Sequence, residues 1–397
     1  MSTWRSRLAL AVVLSSVLMG LPAAAHAADP PSLGSIKQRD GIVIAPDQIS
    51  ISGISSGGFF AVQYHVAHSS EVMGVGVVAG GPYHCAGSWS WVCLNPFAHD
   101  ACQATAVCSR FAQKAGGLYW GPPDNDYAVK SAKDEAKSGT IDPLDGLRQA
   151  RVWIFTGGPE TGAPHDTLVP HDVAAEVAYF YRQFASDPNN VTFVDTVPAE
   201  HAMPIAGDGA GEAGACAFFG EPYINDCHYA AAGELLSFIY PKRQQVSRAS
   251  WVEGNLQEFR QPVDAADAGL SMNAVGHIYV PDACKHGQAC PLHIALHGCE
   301  QTKEAVDAAN APGGGTFGDL PPEKRPYFYR LGGYNDWAER HGVVVLYPQA
   351  RAAGAFNPKG CWDWYGYSGS DYYNKNGKQI HAIDAMVACL TGKAACP

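Results

Sequence analysis

Gly53-Ile54-Ser55-Ser56-Gly57-Gly58 fits the pattern G-x-S-x-G centred on Ser55, the spacing that mounts a serine on a tight turn between a strand and a helix. Such a turn tolerates no bulky neighbours, because its backbone is strained and runs close to the adjoining strand. Glycines on both sides let it present the serine Oγ above a sheet, at the positive end of the helix. The bland alternative is an ordinary strand-to-helix turn. A serine at its free pKa is a poor nucleophile, so the chemical reading needs a histidine base and an acid, in the chain order Ser, Asp, His. Asp166, in the polar loop 157–169, and His201, in Pro198-Ala199-Glu200-His201-Ala202-Met203-Pro204, satisfy that order. Asp172 and Asp195 compete with Asp166, but Asp172 reads as opening the helix after Pro170 and Asp195 as lying inside a strand end. His165 and His171, each followed by Asp, raise a metal site as a rival, yet further ligands at helical spacing are missing. No metal or cofactor is expected.

Acyl transfer also needs donors for a developing oxyanion. Ser56 follows the nucleophile at the position whose N–H faces that oxygen. A second apolar run, residues 292–296, leads into His297-Gly298-Cys299-Glu300-Gln301-Thr302, a strand ending in an HG turn that would supply the N–H of Cys299. This element usually precedes the nucleophile in the chain and here follows the histidine; donors need only meet in space, so the permutation costs no chemistry.

Positioning these residues falls to short apolar runs that end in Gly or Pro: 49–54, 73–78, 152–155, 191–194, 292–296 and 343–347. They read as buried strands. Segments of helical character, 58–68, 171–184, 230–239 and 333–341, lie between them, so the fold class is α/β with a mostly parallel sheet covered on both faces. Asp166 and His201 each fall beyond a strand's carboxyl end, where open α/β sheets gather their functional groups. No Pro/Ser/Thr linker or repeat divides the chain, which favours a single catalytic domain over 46–397 behind a short N-terminal segment, 28–45.

Lys+Arg number 27 against 38 Asp+Glu, for a net charge of −11, and 47% of the 397 residues are hydrophobic. Such a chain buries a real core and suits a neutral ligand better than a polyanion, so no nucleic-acid partner is expected. Arg5 and Arg7, an apolar run to Leu21 and the A-x-A pattern Ala25-His26-Ala27 read as an export signal, residues 1–27, cut after Ala27. The run is too short to span a bilayer comfortably, so the mature chain is expected in the periplasm or outside the cell and not in a membrane. All 12 cysteines follow the cut without a CxxC pair, which reads as disulfides. Connectivity is open, although Cys216/Cys227, Cys284/Cys290 and Cys389/Cys396 are each close enough in sequence to form a local loop. Nothing in the sequence fixes an oligomeric state; a monomer is favoured.

Taken together, GISSGG, the Asp166 loop, AEHAMP, residues 222–240 (PYINDCHYAAAGELLSFIY), LHGCEQT and residues 360–367 (GCWDWYGY) resemble the permuted catalytic domain of poly(3-hydroxybutyrate) depolymerases. The resemblance runs from about residue 45 to the end. It implies a single-domain, circularly permuted α/β-hydrolase fold, a Ser55-Asp166-His201 triad, and Ser56 and Cys299 as oxyanion amides. It implies a polyester or hydroxybutyrate-oligomer substrate and no cofactor, and by position it places Trp362 and Trp364 in the polymer groove. Many extracellular members carry a linker and a polymer-binding domain after the catalytic one, whereas this sequence stops at Pro397, so tight adsorption to crystalline granules is not expected. Two rivals stay open: an exported carboxylesterase of other specificity, feruloyl or acetyl-xylan, and a non-catalytic polymer-binding protein that keeps the fold. By default, a Trp/Tyr-rich segment is core or disulfide packing.

Overall fold

Each apolar run that ends at glycine or proline becomes a strand of one eight-stranded sheet. The computed structural model describes residues 29–88, 93, 99–159, 161, 164–207, 211–263, 267–311 and 320–396, so the expected leader lies outside the described residues. In chain order the strands are β1 (Val43–Ile54), β2 (Val72–Val78), β3 (Arg151–Phe155), β4 (Val191–Val194), β5 (Met203–Ile205), β6 (Gly214–Ala215), β7 (Ile224–Asp226), β8 (Leu256–Arg260), β9 (Val275–Tyr279), β10 (Ala289–Leu296) and β11 (Val344–Tyr347). The α-helices are α1 (Leu33–Asp40), α2 (Ser56–Ala67), α3 (His99–Ala106), α4 (Phe111–Lys114), α5 (Asn125–Ser138), α6 (His171–Arg182), α7 (Ala231–Ile239), α8 (Lys303–Ala309), α9 (Phe328–Leu331), α10 (Tyr334–His341) and α11 (Lys378–Thr391).

The sheet runs β4-β3-β2-β1-β10-β11-β9-β8. Pairs from β4 to β11 are parallel, and β9 and β8 close one edge antiparallel. β1 and β10 therefore sit side by side near the centre although they are far apart in sequence, the arrangement of a circularly permuted α/β-hydrolase fold. Side chains alternate between two cores, as a strand's period of two requires. On β3, Val152 and Ile154 enter the core beneath α2, α6 and α11, while Trp153 and Phe155 enter the one beneath α7 and α10. The expected boundary at residue 45 falls inside β1: Val43 and Ile44 already pair with β10, and Lys37 Nζ on α1 donates to the Cys389 carbonyl of α11 at 2.7 Å.

The register brings the functional turns to one rim. Gly53 is level with Leu296 and Val77, Val78 with Phe155, and Phe155 with Val194. The turns after β1, β2, β3, β4 and β10 thus leave the sheet together. A small sheet, β5-β7-β6, sits beyond that rim and is stapled by Cys216–Cys227. The other disulfides are Cys85–Cys108, Cys93–Cys102, Cys284–Cys290, Cys299–Cys361 and Cys389–Cys396. All twelve cysteines are paired, including the three short loops, as in chains that fold in an oxidising compartment. No helix among the described residues is long and apolar enough to cross a membrane.

Candidate active site

Ser55 stands between β1 and α2 with φ 56° and ψ −124°, a conformation that costs energy in any residue with a Cβ and is held by its surroundings. Its N–H donates to the Val78 carbonyl at 2.9 Å and its own carbonyl accepts from Phe59 N at 3.0 Å. The glycines are obligatory on steric grounds. A Cβ on Gly53 would collide with the Gly57 carbonyl, and a Cβ on Gly57 with the carbonyls of His297 and Leu296.

His201 and Asp166 meet across their two loops. His201 Nδ1 lies 2.9 Å from Asp166 Oδ2 and 3.1 Å from Oδ1, with the residues only 3% and 2% exposed. Asp166 Oδ1 also accepts from Leu168 N at 2.9 Å and Val169 N at 2.8 Å, which anchors the carboxylate and directs it at the imidazole. The loops pack this closely because Gly157 has no Cβ; one there would collide with the Ala199 carbonyl. The competing acids are occupied elsewhere. Asp172, in the first turn of α6, accepts from Tyr119 Oη at 2.9 Å, and Asp195 lies 2.9 Å from His171 Nε2. Among the described residues no three His, Cys, Asp or Glu side chains gather as a metal site.

The HG turn after β10 lies against the serine turn: a Cβ on Gly298 would stand 3.2 Å from Ser55 Cβ. His297, fully buried, accepts from Ala350 N through Nε2 at 3.1 Å and donates through Nδ1 to the Gly298 carbonyl at 2.7 Å. Burial pushes its pKa down to about 4, so the ring is neutral and keeps this donor–acceptor pair. A trans peptide points its N–H opposite to its C=O, so holding the Gly298 carbonyl turns the Cys299 N–H away from that ring. Gln301 Oε1 accepts from Gly298 N at 2.6 Å, and the Cys299–Cys361 disulfide ties the turn to the tryptophan segment. Ser56 Oγ accepts from Trp362 N at 3.3 Å, so its side chain is engaged on the protein side.

Ser55, His201, Gly298 and Cys299 open onto one cavity of about 530 Å³ with a predominantly apolar wall. Trp364 lines it, stacked on Phe59 with ring centroids 4.2 Å apart. Trp362 does not. It is 0% exposed and packs between Phe60 and His297 in the core, so its expected place in the groove gives way to packing beneath it. Phe111, Phe219 and Phe356 also face the cavity and are exposed, Phe356 at 81%. Sequence reasoning missed these three, since each lies outside the strands and conforms to no catalytic pattern.

No family model matches the chain. A poly(3-hydroxybutyrate) depolymerase of Delftia acidovorans is 34% identical over 343 residues, covering 86% of this chain and 59% of that protein. A polyhydroxybutyrate depolymerase of Talaromyces funiculosus is 30% identical over 357 residues, 87% of this chain and 89% of that one. The chain belongs to the poly(3-hydroxybutyrate) depolymerase family. It spans less than two thirds of the Delftia relative's length. Among solved structures, the depolymerase from Penicillium funiculosum superposes with a TM-score of 0.69 at 27% identity, over 92% of this chain and 99% of that one. A serine-to-alanine variant of a PHB depolymerase, complexed with an R3HB trimer, gives 0.68 over the same shares. Depolymerases of this family are carboxylic ester hydrolases, the reaction class read from the serine turn.

Proposed function

We propose that this chain is an exported serine esterase that hydrolyses the ester bonds of poly(3-hydroxybutyrate) or its oligomers through an acyl-enzyme. The observation that carries the reading is His201, paired with the buried Asp166, opening with the strained Ser55 onto one predominantly apolar cavity. His201, oriented by Asp166, takes the Ser55 proton as Oγ bonds to the ester carbonyl carbon. The N–H groups of Ser56 and Cys299 hold the resulting oxyanion, each contributing about 3 kcal/mol to the transition state. Collapse breaks the C–O bond, His201 returns the proton to the departing alcohol, and water repeats the sequence on the acyl-enzyme. The cavity is large enough for a few hydroxyacyl units, and its aromatic wall suits a chain of methyl and methylene groups. Family membership and the trimer bound by a structural neighbour support this substrate over a feruloyl or acetyl-xylan ester.

Release of 3-hydroxybutyrate from amorphous polymer, set beside ferulate or acetate from xylan, tests the substrate. Loss of a triad member typically removes several orders of magnitude. Ser55→Ala should therefore abolish polymer hydrolysis, while Ser56→Ala, which keeps the backbone N–H, should retain much of it. The reverse pattern moves the nucleophile by one residue, and preferential release of ferulate or acetate replaces the polyester.

A further inference from the structure

Resting on the esterase reading, we infer that Glu200 is a positioning residue that clamps the acid loop to the histidine loop. Its side chain is buried, at 7% exposure, immediately before His201. A single carboxylate oxygen, Oε1, accepts three hydrogen bonds: from His201 N at 2.9 Å, from Thr167 N at 2.9 Å and from Thr167 Oγ1 at 2.7 Å. Thr167 directly follows Asp166, so one oxygen holds the backbone on both sides of the Asp166–His201 contact. Hydrogen bonds to a charged acceptor are shorter and stronger than neutral ones, and removing a buried acceptor leaves its donors unsatisfied.

The clamp is braced from both ends. The Glu200 N–H donates to the Cys216 carbonyl at 2.9 Å, which ties the histidine loop to the small sheet and its Cys216–Cys227 staple. Lys114 Nζ on α4 donates to Thr167 Oγ1 at 2.7 Å while lying 3.7 Å from the Phe219 ring centroid at the cavity wall. The Thr167 hydroxyl thus accepts from Lys114 and donates to Glu200. Glu200 does not reach the cavity; it acts through where it holds Asp166 and His201. A catalytic pair misplaced by about 1 Å loses on the order of a hundredfold in rate.

The test compares Glu200→Ala, Glu200→Gln and Thr167→Val in the full chain. The amide oxygen of glutamine can accept the same three bonds, so Glu200→Gln should keep kcat on a soluble short-chain ester within about threefold of the parent. Glu200→Ala should lower kcat by at least about tenfold with KM changed less than about threefold, and Thr167→Val should fall between. Two readouts need no polyester: labelling of Ser55 by a fluorophosphonate, which requires a competent base, and the low-field proton resonance of the His201 ring N–H. Both should be lost or weakened in Glu200→Ala and preserved in Glu200→Gln. An unchanged resonance and kcat in Glu200→Ala overturn the inference. So does a loss shared equally by Glu200→Gln that tracks a fall in melting temperature. Failure of the parent to hydrolyse any ester would reject the esterase reading, and the resonance would still decide the clamp.

Discussion

The two tryptophans of GCWDWYGY differ by one intervening residue, yet only Trp364 faces the cavity, while Trp362 is fully buried between Phe60 and His297. Their truncations should therefore part company. Trp364→Ala should weaken polymer hydrolysis well beyond hydrolysis of a small soluble ester, because only a long chain contacts the wall away from the serine. Trp362→Ala should lower stability by about 3–5 kcal/mol and reduce both activities with the melting temperature. Measuring both substrates and the melting curve for each variant checks this; equal behaviour would remove Trp364 from the substrate wall. The sequence pointed to Ser55, Asp166 and His201 because acyl-transfer chemistry limits their types and the architecture suggests their order; the structure pairs Asp166 with His201 and sets Ser55 on the same cavity as His201. It could not separate Trp362 from Trp364, since an irregular segment has no period from which to read facing. Nor did it reveal Glu200, whose partner Thr167 lies in a loop more than thirty residues away.

Among the elements, the HG turn is held by three devices: the neutral His297, the Gln301 amide and the Cys299–Cys361 disulfide. Replacing both cysteines by alanine keeps the Cys299 N–H but releases its tether. This should cost about 2–4 kcal/mol of stability and lower kcat with little change in KM on a soluble ester. Removing Cys389–Cys396, at the end of α11, should cost stability alone. A kcat unaffected by loss of Cys299–Cys361 would mean that His297 and Gln301 suffice. Short runs rich in Val, Ile, Leu and Phe and bounded by turn residues made β1, β2, β3, β4, β10 and β11 legible, although Ser50, Ser52, Thr192 and His293 interrupt them. The edge pair β8 and β9, LQEFR and VGHIY, went unread. β8 buries only Phe259 fully, and β9 carries a glycine and a histidine, so neither forms an apolar run.

For the molecule as a whole, three buried histidines set an acid limit. Burial holds His65 and His293 down to about 3 and His297 to about 4. His65 contacts the Tyr181 hydroxyl, and His293 lies between Ser50 and Ser52 with no carboxylate to welcome a proton. The unfolded chain protonates these rings near 6.5 and the folded one does not, so their contribution is complete above about pH 6.5 and lost as pH falls toward the folded values. The slope is roughly 1.4 kcal/mol per pH unit for each ring over that interval. Denaturant midpoints should drop steeply between pH 6.5 and 4. Substituting His293, the most enclosed in hydroxyl groups, by Gln should flatten that dependence even where it lowers stability at pH 7; an unchanged slope would place the acid limit elsewhere.

The side-by-side placement of β1 and β10 also bears on when the proposed site can assemble during synthesis. Synthesis delivers Ser55, Asp166 and His201 long before residues 289–299 leave the ribosome. Until then β1 has one edge without its neighbour, the pairing it awaits spans most of the sequence, and such distant contacts form late. The Cys299 amide arrives with that stretch, and Trp364 later still. A half-made chain therefore holds Ser55, Asp166 and His201 but neither the Cys299 amide nor the Trp364 part of the cavity wall. On the proposed esterase reading, the cavity that would hold substrate is completed only by the last portion translated.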